Sequence, residues 1–466
     1  MMKKFLFAFK VYYLVYVLLA FNAFINEEKY MEWAAYLLAL WGMAAAAAIV
    51  VKYKEYKGMY NIWLIMGLIL SYALSSILTL QYGVTENIKE IIWMICFMFV
   101  LYSSCHTYTV KEMKKEISVL AAIWIAYCSV VNTVSISMIT WGRNYGLYRL
   151  ENGEMVEYKV VGFKWGRLWG MYDDPNHGAA IAVAGVLLAL YLLFTIKNKY
   201  IKPLLAVSMI IQFLYIVLSD SRTGMVMIGA AGFLWTFVLL YRRLHAQEKG
   251  MIKRTLLSVI AGLLVACLLF GGTYFSKQGY NILEKKVETS QTQKKQDTTA
   301  SVPKKSVQVG RKADIEEDVS NGRLTIWKSG LEVAGTAPVF GVSFRNIIAY
   351  TEDHLPDTYL INPTEDGKYD SLHNAVMDVL VSQGLLGILL LAALMGNTIR
   401  LMKRKLCAVR QEDWYFASFS FITAAVMVAG SMFLTMVFYL NAPTTYIFWL
   451  CLGYFVEILW RGEERR

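Results

Sequence analysis

The sequence predicts an all-α polytopic integral membrane protein of about twelve transmembrane helices, with a large extracytoplasmic loop between spans nine and ten. Three observations predict it. The 466-residue chain is 57% hydrophobic and only 17% charged, too apolar for a soluble protein of this length. Runs of about 20 apolar residues recur along nearly all of it, each long enough to cross a hydrocarbon core as a helix. Lysine and arginine cluster in alternate loops, the pattern of a chain that crosses repeatedly with its basic loops inside.

The apolar runs place the spans at roughly 5–25, 31–51, 62–82, 90–106, 117–141, 177–196, 203–219, 223–241, 255–275, 373–399, 414–440 and 444–460. None of the 7 prolines lies inside a span. Pro175, Pro203 and Pro443 sit at or just before helix starts, where a missing N–H costs nothing. The opening MMKK and its apolar run have the form of a signal peptide, but no small-x-small cleavage site follows Ala20, so a retained first span is expected. Lys10, inside that span, can snorkel toward the headgroups.

The basic loops are 52–57, 111–115, 197–202, 242–254 and 400–405. They are expected on the cytoplasmic side of the cytoplasmic membrane, with both termini. The net charge of +11 is then a topology signal. Nucleic-acid binding is excluded as its meaning, because the basic loops are short and lack interleaved aromatics. The six cysteines (96, 105, 128, 267, 407 and 451) fall in spans or on the cytoplasmic side. No extracellular disulfide is expected, and no C-x-x-C points to a metal.

This topology divides the chain into helices one to nine with short loops (1–275), the large outer loop (276–372), and helices ten to twelve with a cytoplasmic tail (373–466). Other outer segments are 142–176, the turn at 219–222 and the short loop 441–443. Within the large loop, Lys277 to about Glu317 is rich in Lys, Gln, Thr and Ser and expected to be disordered. Val319 to Asp370 regains aromatics, Gly and Pro and is expected to fold back.

The outer segments carry the candidate site. Arg222 follows Ser221 at a helix start, where backbone N–H groups and the helix dipole favour an anion and a guanidinium adds a planar fork. A headgroup anchor is the alternative. In "DDPNHGAA", Asp174 caps, Pro175 takes the first helical position and Asn176 projects from the first turn; a well-made helix start explains the same residues. The preceding "GFKWGRLWGMY", with Lys164, Trp165, Arg167 and Trp169, reads equally as an interfacial aromatic belt or a sugar-stacking surface. Ser320 or Asn321 can cap an amphipathic surface helix with Leu324, Trp327 and Leu331 on one side, Arg323 in its first turn and Arg345 beyond the "PVFGVS" turn. His373 opens span ten. Capped by Ser371, it would lie in the first turn, where the dipole favours the neutral, base-competent imidazole. The topology puts Asn176, Arg222, Arg323 and His373 on one membrane face.

Taken in order, "DPN" opening a span, "SRTG" at the next outer turn, "GRLTIW…PVFGV" in the large loop, and "LHN" with "GLLG" downstream resemble the O-antigen ligase and Wzy-type polysaccharide polymerase superfamily over about 170–395. The resemblance implies a metal-independent, cofactor-free inverting glycosyltransferase of the C-type membrane architecture. Its donor would be an undecaprenyl-pyrophosphate-linked glycan and its acceptor a glycan or lipid-linked acceptor, with membrane lipids and a chain-length regulator as further partners. Arg222 and Arg323 would hold the pyrophosphate, and His373 would activate or orient the acceptor hydroxyl. Arg167, Asn176, Ser221, Arg345 and Asn374 are the accompanying candidate substrate contacts. Polymerase and ligase differ only in acceptor; a Lys-, Ile- and Tyr-rich composition leans toward a bacterium without an outer membrane and hence toward a polymerase. A twelve-span transporter is the competing class, but such proteins show related halves, broken helices and intramembrane charges. Here the spans carry few charges, Asp378 and Glu457 chief among them, and the loops show no two-half symmetry.

Overall fold

The computed structural model describes residues 1–141, 144–151, 154–295, 308–310, 322–363 and 367–461. It is mostly helical, and among the described residues eight helices are long and apolar enough to cross a membrane. They correspond to expected spans two, five to nine, ten and eleven. The count of twelve is not reached by that criterion. The chain divides into two compact units: Met1–Leu18, Glu28–Leu120 and Glu317–Arg466 form the first, Leu19–Glu27 and Ala121–Glu316 the second.

The first unit contains α1 (Met2–Ala20, to Leu18), α2 (Lys29–Val51), α3 (Ile62–Leu78), α4 (Thr85–Met94) and the start of α5 (Val110–Trp141). Expected span four is α4 followed by a π-helical stretch, Ile95–Leu101. Lys10 does not snorkel. It is fully buried and paired with Glu116, with Ser104 Oγ at 3.2 Å. Tyr454 donates to the same carboxylate. A buried charge is retained only where partners replace its hydration, and here they are in place.

The second unit holds the rest of α5, a three-stranded antiparallel sheet, and α6 (Pro175–Thr195), α7 (Ile201–Leu218), α8 (Arg222–Ala246) and α9 (Met251–Lys295). The strands, β1 (Asn144–Glu151), β2 (Glu154–Lys164) and β3 (Arg167–Gly170), occupy the expected outer loop. A two-residue turn joins β2 to β3 between the paired Lys164 and Arg167, and both its residues, Trp165 and Gly166, have positive φ. That is the requirement of a type I′ hairpin. Of the stretch 277–317, expected to be disordered, α9 takes in the part up to Lys295. Val309 is also buried and exchanges hydrogen bonds with the Asn281 side chain. Residues 296–307 and 311–317 lie outside the described residues.

The large loop then contributes α10 (Arg323–Thr336) and α11 (Ile347–His354) to the first unit, followed by α12 (Ala375–Lys405), α13 (Trp414–Ser431) and α14 (Pro443–Arg461). Span ten is not continuous. Gly384, at φ 62° and ψ −158°, breaks α12. The groups released there are taken by the "PVFGVS" segment. Val342 and Ser343 N–H donate to the Val381 and Ser382 carbonyls, while Leu385 and Leu386 N–H donate to those of Pro338 and Val339. Irregular backbone at membrane depth is tolerated when protein satisfies it in this way. Span eleven also stops early, at Ser431, and the irregular stretch after it is held from α14. Thr444 and Thr445 donate to the Met436 carbonyl and Trp449 Nε1 to that of Val437.

Candidate functional site

In the second unit, Asp174 caps α6 as the spacing predicts, its carboxylate accepting from Asn176 N–H at 2.7 Å and His177 N–H at 2.9 Å. Asn176 Oδ1 is then a junction: Arg167 Nη2 donates to it at 2.8 Å and Ser221 Oγ at 3.0 Å. Arg167 Nε donates to the Ser219 carbonyl at 2.9 Å. Ser221 caps α8 by accepting from Gly224 N–H. Three residues expected to touch substrate are thus brought together, and in this structure they brace the turn that carries Arg222. Arg222 is the first residue of α8, at the positive end of the helix dipole. Asp220 enters the same turn in the left-handed region (φ 48°) and pairs with Lys277 at 2.7 Å. His177 lies edge-on to Phe21.

The other four expected residues belong to the first unit. Arg323 opens α10, with its guanidinium over the Phe433 ring at 5.9 Å. The cap of that helix is Gly322, at φ 75°; Ser320 and Asn321 lie outside the described residues. The buried side of α10 is Ile326, Ser329, Gly330 and Val333, whereas Leu324 and Leu331 remain exposed. One turn past Arg323, Trp327 Nε1 donates to the Leu372 carbonyl at 3.0 Å. A β-carbon on Gly330 would stand 2.5 Å from the Leu372 side chain, so α10 seats closely on the residue before His373.

His373 does not lie in the first turn of α12. The cap is Asn374, whose Oδ1 accepts from Val376 and Met377 N–H, rather than Ser371. His373 stands just outside the helix at φ 50°, in the left-handed region that a side chain visits only when its surroundings hold it there. The dipole argument for its first-turn position therefore loses its premise. Asn374 Nδ2 also donates to the Met432 carbonyl, next to the Phe433 that underlies Arg323. Asn374 is thus engaged at both ends of its amide. Arg345 is paired with Glu90, its Nε and Nη2 lying 2.9 and 2.6 Å from one carboxylate oxygen. Burial opposes the Arg345 charge, but Glu90 more than compensates and holds the guanidinium above its ordinary range.

Several residues around His373 escaped functional reading of the sequence. Asp378 is fully buried; its Oδ1 accepts from Leu372 N–H at 2.8 Å and its Oδ2 from Thr435 Oγ1 at 3.0 Å. Ser371 Oγ lies 2.8 Å from Thr435 Oγ1 and accepts from His373 N–H at 3.3 Å. The one signal available was a carboxylate inside an apolar span, five residues after the histidine.

A polytopic helical membrane protein results, one whose candidate site residues sit at or near helix starts and in the large loop. Residues 204–392 match the family model described as O-antigen ligase, so the resemblance carried by the motifs holds over that stretch. The match takes in the "SRTG", "GRLTIW", "PVFGV", "LHN" and "GLLG" motifs and begins after "DPN". It supports a membrane glycan-processing enzyme of the ligase or polymerase type, with lipid-linked glycans as substrates. No curated protein shows significant sequence similarity to the chain.

Proposed function

We propose that the protein transfers an undecaprenyl-pyrophosphate-linked oligosaccharide to a glycan acceptor on the outer face of the cytoplasmic membrane, acting as a polysaccharide polymerase. The acceptor hydroxyl attacks the anomeric carbon from the side opposite the pyrophosphate. The bond from that carbon to the pyrophosphate oxygen breaks, its electron pair leaves with undecaprenyl pyrophosphate, and configuration inverts. His373 accepts the hydroxyl proton. Arg222 and Arg323 take the pyrophosphate on chemical grounds, because two fixed guanidinium forks stabilise developing phosphate charge without a metal.

The observation that carries this reading is the backbone of His373. Its left-handed conformation is held by hydrogen bonds on both flanks: Trp327 Nε1 donates to the Leu372 carbonyl, the Leu372 N–H donates to Asp378, and Asn374 Nδ2 donates to the Met432 carbonyl. A residue that only bordered the bilayer would have no need of such fixing, whereas a general base gains from it. The test is transfer in proteoliposomes with a lipid-linked oligosaccharide donor. His373→Ala is expected to accumulate normally and to abolish chain growth. His177→Ala, a histidine at another helix start, is expected to extend glycans at close to the native rate. Equal activity of the two variants overturns the assignment, and product confined to a non-repeat acceptor replaces polymerase by ligase.

A further inference from the structure

Asp378 lies five residues beyond His373, on the first stretch of α12, with no exposed surface. Its carboxylate bonds to the Leu372 amide and to Thr435, and both lead to the segment that enters His373. Oδ1 holds the Leu372 amide directly. Oδ2 is the end of a chain whose direction the donors dictate. Thr435 spends its single hydroxyl proton on Asp378, so in the 2.8 Å Ser371–Thr435 pair the proton comes from Ser371. Ser371 Oγ is then left with lone pairs only, one of which accepts the His373 amide. Asp378 Oδ2, accepting at the far end, is what gives every proton in this chain its direction.

We propose that Asp378 is a positioning residue for His373: by holding the Leu372 amide directly and the His373 amide through Thr435 and Ser371, it keeps the imidazole-bearing backbone in its left-handed conformation. The assignment rests on the catalytic reading of His373 and adds to it a specific device for orientation. Asparagine at 378 can still accept the Leu372 amide, but its amide nitrogen would face Thr435 and reverse the chain. Alanine removes both acceptors.

The experiment measures donor KM and kcat for Asp378→Asn, Asp378→Ala, Thr435→Ser and Thr435→Val in proteoliposomes, with accumulation in the membrane checked for each. Thr435→Ser keeps the hydroxyl and is expected within about threefold of native kcat. Thr435→Val and Asp378→Asn are expected to lose about tenfold or more in kcat with donor KM little changed, and Asp378→Ala more. The deciding arm is Asp378→Asn combined with His373→Ala, both read as the residual single-turnover transfer above background that survives once chain growth is lost. If Asp378 acts through His373, the double variant is no slower than His373→Ala alone, because contributions that work as a unit are not additive. A further loss in the double variant, or native kcat in Asp378→Asn while His373→Ala is inactive, overturns the positioning role and leaves the base intact. Native activity in His373→Ala instead overturns the catalytic reading itself.

Discussion

Gly384→Ala is expected to be among the most damaging single-methyl changes in the chain. At φ 62° and ψ −158° its backbone occupies a region that is essentially glycine-only, and an alanine there costs about 1–3 kcal/mol. Its β-carbon would also stand 2.4 Å from Val339 C, 2.5 Å from Val339 O and 2.7 Å from Phe340 N. These are backbone atoms, so no rotamer change relieves the overlap, and overpacking of this kind adds about 1–3 kcal/mol. The sum, about 2–6 kcal/mol, compares with a whole-domain stability of about 5–15 kcal/mol. The shift it forces pulls apart the four backbone bonds between "PVFGVS" and the broken helix. Gly396→Ala is the matched control on the same helix: exposed, with nothing within 4 Å of the added methyl, and worth about 1 kcal/mol in the stabilising direction. Thermal unfolding of both variants in detergent, followed by fluorescence or by loss of monodisperse protein, should show a large drop for the first and none for the second. Indistinguishable melting of the two would refute both the break and its pairing with the loop.

Alanine at Arg222 or Arg323 is expected to lower turnover about a hundredfold or more, the scale of losing one transition-state donor, and lysine to restore it only partly because the fork is gone; near-native glycan length with either alanine variant would remove that residue from the site. Chelators are expected to leave transfer intact, and a loss with EDTA that a divalent metal restores would contradict metal-free chemistry. Single cysteines placed in 285–300 should react with an impermeant thiol reagent in intact cells and those in 245–250 should not; the opposite pattern would put the large loop on the wrong side. Arg345→Ala leaves Glu90 buried without its partner, which typically costs about 3–5 kcal/mol, and Glu90→Gln in the same chain is expected to recover both accumulation and activity. Recovery of protein without activity would place Arg345 at the substrate.

Helix type and approximate position were legible because apolar runs report them directly, and caps were legible where the capping chemistry is local. Asp174–Pro175 is such a case, since the cap and its two recipients lie within three residues. The start of α12 was misplaced because two plausible caps, Ser371 and Asn374, lie three residues apart. The choice was made by distant groups, Thr435 on one and Met432 on the other. Gly384 carried no local sign of a break: glycine within a span is compatible with an unbroken helix, and what opens it is the approach of Pro338–Ser343. Lys10 and Glu116 were unpairable on the page because the two are 106 positions apart. The hairpin at Trp165–Gly166 carried a turn residue but was overshadowed by its aromatics, which fit an interfacial belt equally well. Of the candidate site, the residues expected at helix starts were singled out by their chemistry, whereas the brace and tethers around them were not legible.

A broken membrane helix is often taken as the mark of a transporter, where unwound backbone carbonyls bind the coupling ion. In this chain, the carbonyls exposed by the break at Gly384 have other partners. Val381 O accepts from Val342 N–H, and Ser382 O accepts from both Ser343 N–H and Ser75 Oγ. The next side chain, Gln383, donates to Tyr439 OH and accepts from Ser71 Oγ. Around it, Ser343 reaches Asn87 and Ser76, and Asn346 bridges Asn87 to Thr79. Moving the two halves of α12 apart would strand these groups in a medium that offers no replacement, at a cost of several kcal/mol each. The break therefore suits a rigid floor better than an alternating gate. A rigid floor is what a transferase needs beneath its reacting groups, since an imidazole displaced by about 1 Å can lose about a hundredfold in rate. The segment that fills the break, "PVFGVS", links α10, which begins at Arg323, to Arg345; the helix it completes begins beside His373. Fixing one chain crossing against the other thus fixes the elements that carry the proposed anion-binding and proton-accepting side chains of this unit, and the four backbone bonds at Gly384 are where mutation should uncouple them first.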